Sequence, residues 1–299
     1  MRRVLTWMGL AVLVALLVSL TAGCAQTPAA SPTAAPAPTK AAEPTKAAEP
    51  TKAAEATKAP AATPTPADGP AVARIKKAGK LVVLVDATFT PMEFKDEKGE
   101  IVGFDVDLAK ELGKRLGVQV EFQNIAWDGI FAALKTNKGD MVWSSVTITD
   151  ERKKEMAFSD PYYAAGQAIL VPASNTEIKG PDDLKGKVVA VQIDTTGQEA
   201  AEKIAGIKEI KKLDGGSEAC IMTEQGKADA TIIDIMVAGY FAQQHPKVKL
   251  VSYTPFTKED LGVAMRQDDA DLVKKVNEIL AQMKSDGTID KTLQKWGMK

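Results

Sequence analysis

The sequence predicts an α/β fold of two lobes, each a mostly parallel sheet with flanking helices. Three observations carry that prediction. Apolar runs of strand length alternate with amphipathic stretches of helical period, the pattern of βαβ units. The alternation then starts again with the same punctuation. Gly79-Lys80 before the first strand is echoed by Gly186-Lys187, and Lys138-Gly139-Asp140 before the third by Gly226-Lys227-Ala228-Asp229. Finally, about 230 residues follow Ala71, which suits one large domain or two small ones, and the repetition selects two lobes over one long sheet.

In chain order, Arg2 and Arg3 precede an almost wholly apolar run, Val4 to Leu20, which closes as Thr21-Ala22-Gly23-Cys24. That order is a secretory signal peptide over 1–23 with a lipoprotein cleavage box, and the thiol of Cys24 is the expected site of palmitate attachment. One transmembrane helix is the competing reading. The run is about 17 residues, at the short limit of a span, and Ala-Gly-Cys is the wrong flank for a stop. Thr21 departs from such boxes, which more often carry Leu. Residues 24–70 read as a disordered tether. Pro-Thr-Lys-Ala-Ala-Glu repeats at Pro38, Pro44 and Pro50, and no large apolar side chain occurs between Ala25 and Ala71 to offset the entropy of ordering. Partly extended at ~3 Å per residue, it reaches on the order of 100 Å.

In the first lobe, Leu81 to Val85 is a strand buried on both faces. Phe104, Leu108, Leu112 and Leu116 recur every four residues and predict a helix over 104–116. Val118 to Phe122 is a strand, Trp127 to Lys135 a short helix and Met141 to Ser144 a third strand. In the second, strands are expected at Val188 to Val191, Ile207 to Lys211 and Asp229 to Ile233, with helices from Gly197 to Ile204 and Ser217 to Gln225. Leu261 to Met265 reads as a strand, Asp269 to Ser285 as a long amphipathic helix, and Thr288 to Trp296 as a final helix after a Gly287 cap. The crossover between lobes is expected near Ala164 to Ala168 and the return near Val251 to Pro255. Lobe one is then 71–165 plus 255–299, and lobe two 166–254.

Composition excludes several function classes. Net charge is −1, which gives no footprint for nucleic acid. With Cys24 lipidated, Cys220 stands alone, so no intrachain disulfide is expected, and its helical pattern makes it a small core residue. His245 is the only histidine and precedes Pro246 in a polar turn, which disfavours a histidine triad or a metal site. No phosphate-binding or dinucleotide glycine motif is present, so no cofactor is expected.

Ligands of open α/β sheets bind beyond the carboxyl ends of strands. Asp86, Thr88 and Phe89 follow the first strand. Ser144, Ser145, Thr147, Thr149 and Arg152 follow the third. Gln192, Asp194, Thr195 and Thr196 follow one strand of the second half, and Asp234 ends another. Each is weak alone. Together they give a cation, separated anions, hydroxyls and two aromatics, Phe89 and Trp127. A cleft lined in this way suits a small zwitterion, with a guanidinium fork on its carboxylate and an acid of the other lobe on its ammonium. Binding then closes the cleft.

Five stretches resemble the polar amino-acid solute-binding proteins of ABC importers. They are Thr147-Ile148-Thr149-Asp150-Glu151-Arg152, Phe158-Ser159-Asp160-Pro161-Tyr162-Tyr163, Gly103-Phe104-Asp105-Val106-Asp107-Leu108, Asp183-Leu184-Lys185-Gly186-Lys187, and the ending from Asp286-Gly287-Thr288 to Trp296. The likeness covers about Lys80 to Trp296. It implies the two-lobed periplasmic-binding-protein fold of type II, joined by two hinge crossings. It also implies roles. Arg152 pairs the ligand α-carboxylate, helped by the Thr196 backbone N–H beside Thr195. Asp234 holds the α-ammonium, with the Thr147 hydroxyl and the Ser145 carbonyl. Asp86 meets the distal end of the side chain between Phe89 and Trp127, and Gln192 stands where the family varies with ligand. Asp194 replaces a common Gly and is expected to face solvent. Trp143 replaces a smaller residue and is expected in sheet packing.

An acidic Asp86 between aromatic walls suits arginine, lysine or histidine, or the amide of glutamine. The expected partners are a free amino acid and the membrane subunits of an importer, with the chain a monomer, lipid-anchored outside the cytoplasm. Two alternatives stay open. One is a dehydratase-like enzyme acting on a small carboxylic acid, with Asp86 or Glu93 as its acid or base. The other is a ligand-sensing domain.

Overall fold

The computed structural model describes residues 68–298. The expected signal peptide, Cys24 and nearly all of the tether lie outside them. The first described helix, α1 (Pro70–Ala78), is one that the periodicity does not predict. Pro70 opens it where no N–H is required, Gly79 closes it in the left-handed region, and Asp271 accepts a hydrogen bond from the Val72 N–H at 3.0 Å.

β1 (Lys80–Val85) lies between the two strands it pairs with in parallel in lobe one. Its Leu81, Val83 and Val85 face one layer and Leu84 the other, as alternation requires. A small antiparallel excursion follows in β2 (Thr88–Phe89), β3 (Glu93–Lys95) and β4 (Ile101–Val102), also unpredicted. Gly103 then turns into α2 (Phe104–Leu116). Its φ is +142°, and a Cβ there would lie 2.1 Å from the Met92 carbonyl oxygen, so only glycine fits. β5 (Gln119–Asn124), α3 (Trp127–Lys135) and β6 (Met141–Val142) complete the predicted βαβαβ unit, with β5 shifted slightly from the expected Val118 to Phe122. α2 covers one face of the sheet and α3 the other.

The chain continues through α4 (Asp150–Lys153), β7 (Ala157–Phe158) and β8 (Tyr163–Ala165). Past Gly166 it enters lobe two at β9 (Gln167–Pro172). A 3₁₀ turn at Pro181–Leu184 leads to β10 (Val188–Gln192), α5 (Thr196–Lys203), β11 (Glu209–Leu213), α6 (Gly216–Glu224), β12 (Ala230–Asp234), α7 (Ile235–Gln244) and β13 (Val248–Leu250). α5 packs on Val189 and Val191 of β10, and α6 on Ala190. Residues 235–244 are a helix that the sequence hides, because β12 passes into α7 with no turn residue between.

The return departs from expectation. Val251 and Phe256 still donate to the Ile169 and Gln167 carbonyls of β9, so the second passage runs through β14 (Glu259–Leu261) rather than Val251 to Pro255. β14 pairs antiparallel with β8, which makes the two passages one short ribbon between the lobes. The expected strand Leu261 to Met265 is split. Gly262 donates to the Val146 carbonyl at 3.0 Å, and β15 (Ala264–Met265) then joins β6 and β7. α8 (Ala270–Ser285) and α9 (Thr288–Lys295) close lobe one.

The two sheets share one plan, β5-β1-β6-β15-β7 and β11-β10-β12-β9-β13. In each, a parallel trio comes from the βαβ unit, and the crossing segments add one strand antiparallel to it and an outer strand antiparallel to that one. The sheets are therefore mixed, and the strands of the parallel trios end toward one cleft.

Candidate functional site

One cavity of about 310 Å³ lies between the lobes, lined by Asp86, Phe89, Glu93, Trp127, Ser144, Ser145, Thr147, Arg152, Gln192, Thr195, Thr196 and Asp234. Every ligand-contacting residue expected from the sequence is on its wall. Glu93 joins them from β3. Asp194 is exposed outside it, at φ +57°, a left-handed backbone that explains why glycine suits this position. Trp143 is fully buried against Tyr162, ring centroids 5.6 Å apart, in the sheet rather than on the wall.

Arg152 sits in α4, whose N-cap Thr149 accepts from the Arg152 backbone N–H. Its guanidinium donates to the Thr147 carbonyl at 2.9 Å and lies 5.4 Å from the ring centres of both Trp127 and Phe131. Burial pushes its pKa down. Among the described residues no carboxylate lies within ion-pair distance of it. A partly desolvated cation with aromatic neighbours and no anion is prepared for an anionic ligand group.

Asp234 ends β12 and precedes α7. It is 8% exposed, and its Oδ1 has no hydrogen-bond partner among the described residues. Burial raises its carboxyl to about 7, with the nearby Glu259 charge adding to the shift. An acid held this way gains most from a ligand cation.

Asp86, at the end of β1, accepts from Thr88 Oγ1 at 3.0 Å and from Gln192 Nε2 at 2.6 Å, while its own N–H donates to Ser144 Oγ. Burial raises its pKa from the ordinary aspartate value. Since Gln192 belongs to β10, this pair bridges the lobes. So do Trp127 Nε1 to the Asp194 carbonyl at 2.9 Å and Ser217 Oγ to the Thr88 carbonyl at 2.8 Å. Gly216 lets α6 approach Phe89, because a Cβ there would lie 2.6 Å from the ring. These contacts describe a closed cleft.

Glu259 is the residue that sequence reasoning missed. From the β14 passage it accepts Thr147 Oγ1 of lobe one at 2.9 Å and Thr196 Oγ1 of lobe two at 2.8 Å, with Thr257 on its other oxygen. No strand-end rule reaches it. It stands on a hinge segment whose register is visible only once β14 pairs with β8.

The family described as bacterial extracellular solute-binding proteins, family 3, matches residues 81–299. The L-cystine-binding protein TcyJ of Escherichia coli strain K12 is 34% identical over 225 residues, covering 75% of this chain and 84% of that protein. ABC transporter arginine-binding protein 1 of the same strain is 33% identical over 223 residues, 73% of this chain and 91% of that protein. Among solved structures, an ancestral amino acid-binding protein, a precursor of cyclohexadienyl dehydratase, is 47% identical with a TM-score of 0.71, covering 75% of this chain and 98% of that one.

Proposed function

The chain belongs to the bacterial extracellular solute-binding proteins of family 3, and from that premise we propose that it captures one free, basic L-amino acid and passes it to an ABC importer. The carrying observation is the charge balance of the cavity. Arg152 is cationic, while Asp234 and Asp86 are acids at separate places on the same wall. Ionised, they leave one uncompensated negative charge. An α-carboxylate on Arg152, an α-ammonium on Asp234 and a distal cation on Asp86 neutralise all three groups, which desolvated charges require. A neutral zwitterion leaves Asp86 with only its Thr88 and Gln192 hydrogen bonds. Glutamine, whose amide donates to a carboxylate, is the second choice.

The other roles follow. Thr147 and the Ser145 carbonyl accompany the ammonium. Thr195 and Thr196 bring the N-terminus of α5, and its unpaired N–H groups, to the carboxylate. Phe89 and Trp127 wall the side chain, and Gln192 and Ser144 hold Asp86 in place. Cys24 carries the lipid that anchors the mature chain outside the cytoplasm, and Cys24→Ala should move it to the soluble fraction.

One observation favours a second reading. Glu93 lies on the cavity wall, fully buried, and burial together with Asp105 keeps its carboxyl neutral well above the usual range, as a dehydratase acid would need. The solved neighbour described as a precursor of cyclohexadienyl dehydratase is itself described as an amino acid-binding protein and does not favour this reading. Against it stands the acid–cation pair of Asp234 and Arg152, for which a substrate without an amino group has no use.

Melting temperature measured against the twenty amino acids tests the proposal. A ligand at ~1,000 times its dissociation constant adds about 4 kcal/mol, a rise of several degrees. The expected order is arginine first, then lysine, histidine and glutamine. No rise with any of the twenty, together with consumption of a small carboxylic acid, would replace this reading with the enzyme.

A further inference from the structure

Two sequence motifs remain without a role in the site: Gly103-Phe104-Asp105 and Asp160-Pro161-Tyr162. The fold brings them together beneath the cavity. Ser145 lies above them at φ +50°, a left-handed conformation that L residues other than glycine rarely hold. The Ser145 N–H at 2.7 Å, the Ser145 hydroxyl at 3.1 Å and the Tyr162 hydroxyl at 2.8 Å all donate to Oδ2 of Asp105. Asp105 is wholly buried in the first turn of α2, where helix N–H groups favour an anion. Its Oδ1 and the Oε2 of Glu93 have no hydrogen-bond partner among the described residues. Among the described residues no hydrogen bond ends on the Ser145 carbonyl oxygen, although the residue is 6% exposed and lines the cavity. A buried carbonyl left open on a ligand wall needs a donor from the ligand.

We infer that Asp105 is a positioning residue: with Tyr162 it holds the Ser145 backbone in the left-handed conformation that turns its carbonyl to the ligand ammonium. The inference rests on the amino-acid reading above. Asp105 does not touch the ligand. It removes the conformational freedom that Ser145 would otherwise regain, so that the acceptor is in place before binding.

Glycine makes this testable, because it occupies the left-handed region without help. Asp105→Asn should weaken arginine roughly tenfold to a hundredfold, the range for losing a hydrogen bond to a charged group. Ser145→Gly placed in the Asp105→Asn chain should recover most of that loss, which a merely structural role for Asp105 would not allow. The arginine analogue lacking the α-amino group has no donor for the carbonyl, so Asp105→Asn should leave its affinity unchanged. If Asp105→Asn does not fold, Tyr162→Phe removes one donor and keeps the carboxylate. It should bind arginine several-fold more weakly and be rescued by the same glycine. The inference is overturned if folded Asp105→Asn and Tyr162→Phe chains bind arginine as the parent does, if glycine rescues neither, or if the analogue loses as much as arginine. A parent that binds no amino acid overturns the underlying reading, and this inference with it.

Discussion

At the scale of single residues, the cavity wall leaves charged groups incomplete, and on the proposed reading a ligand completes them. Arg152 lacks an anion and Asp234 lacks a donor on Oδ1, while the fold pays that desolvation through the packing around them. Asp86 is different, because Gln192 and Thr88 already satisfy it in part. On the proposed reading its contribution is therefore selectivity among side chains rather than capture. Asp86→Ala should weaken arginine by about a hundredfold and alanine by far less, as removing one partner of a desolvated pair does. Titration calorimetry with both ligands checks this, and equal losses would contradict it. Residues at strand ends were the legible part of the site. Asp86, Ser144, Gln192 and Asp234 each follow directly from where an apolar run stops. Glu93 was legible only as an acid with no assigned place. Asp105 and Tyr162 act through a backbone angle at Ser145, which no side-chain pattern announces.

At the scale of elements, each lobe repeats a parallel βαβαβ unit, and that much is written in its periodicity. The antiparallel strands are not, because β9, β14 and β15 are set by where the chain crosses between lobes. Gln167 to Pro172 is apolar enough to be a strand, yet it sits against the crossover and hides its register. On the proposed reading, closure brings α6 over Phe89 at Gly216, beside the hydrogen bonds that bridge the lobes. Gly216→Ala puts a methyl group 2.6 Å from the ring. Overpacking of this kind costs about 1–3 kcal/mol, or roughly fivefold to a hundredfold in affinity for the closed state. The ligand-free melting temperature should barely move if the open cleft separates these elements. Calorimetry with small-angle scattering tests this, and an unchanged affinity with normal compaction on ligand addition would refute the closing role. Glu259 belongs to the same scale, since its carboxylate ties a hydroxyl of each lobe to the hinge ribbon.

Across the whole molecule, buried acids concentrate around the cleft. Burial raises Asp86 and Glu93, brings Asp105 to about 6 and Asp234 to about 7. Each binds its proton more tightly in the folded chain than in the unfolded one. Stability from these groups is thus fully present below the unfolded carboxylate range, near about pH 4, and is lost as pH rises through 6 and 7. Asp286, lowered to about 2 by Thr288 and Arg115, acts in the opposite sense only below that window. Glu93 and Asp105 are held by partners of lobe one alone, so the ligand-free melting temperature should fall between pH 5 and pH 8. A basic ligand, by supplying cations to Asp234 and Asp86, should flatten that profile. A ligand-free profile that rises with pH would count against the burial of these acids.

On the proposed reading, the α-carboxylate and the α-ammonium of a free amino acid are both gripped, one by Arg152 and the other by Asp234. Agmatine separates these terms, since it keeps the amine and guanidinium of arginine and lacks only the carboxylate. Titration of both ligands at pH 8 should show arginine binding at least a hundredfold more tightly, on the order of 3 kcal/mol. Equal affinity for agmatine and arginine would mean that Arg152 is not the anion site and that the grip is something else.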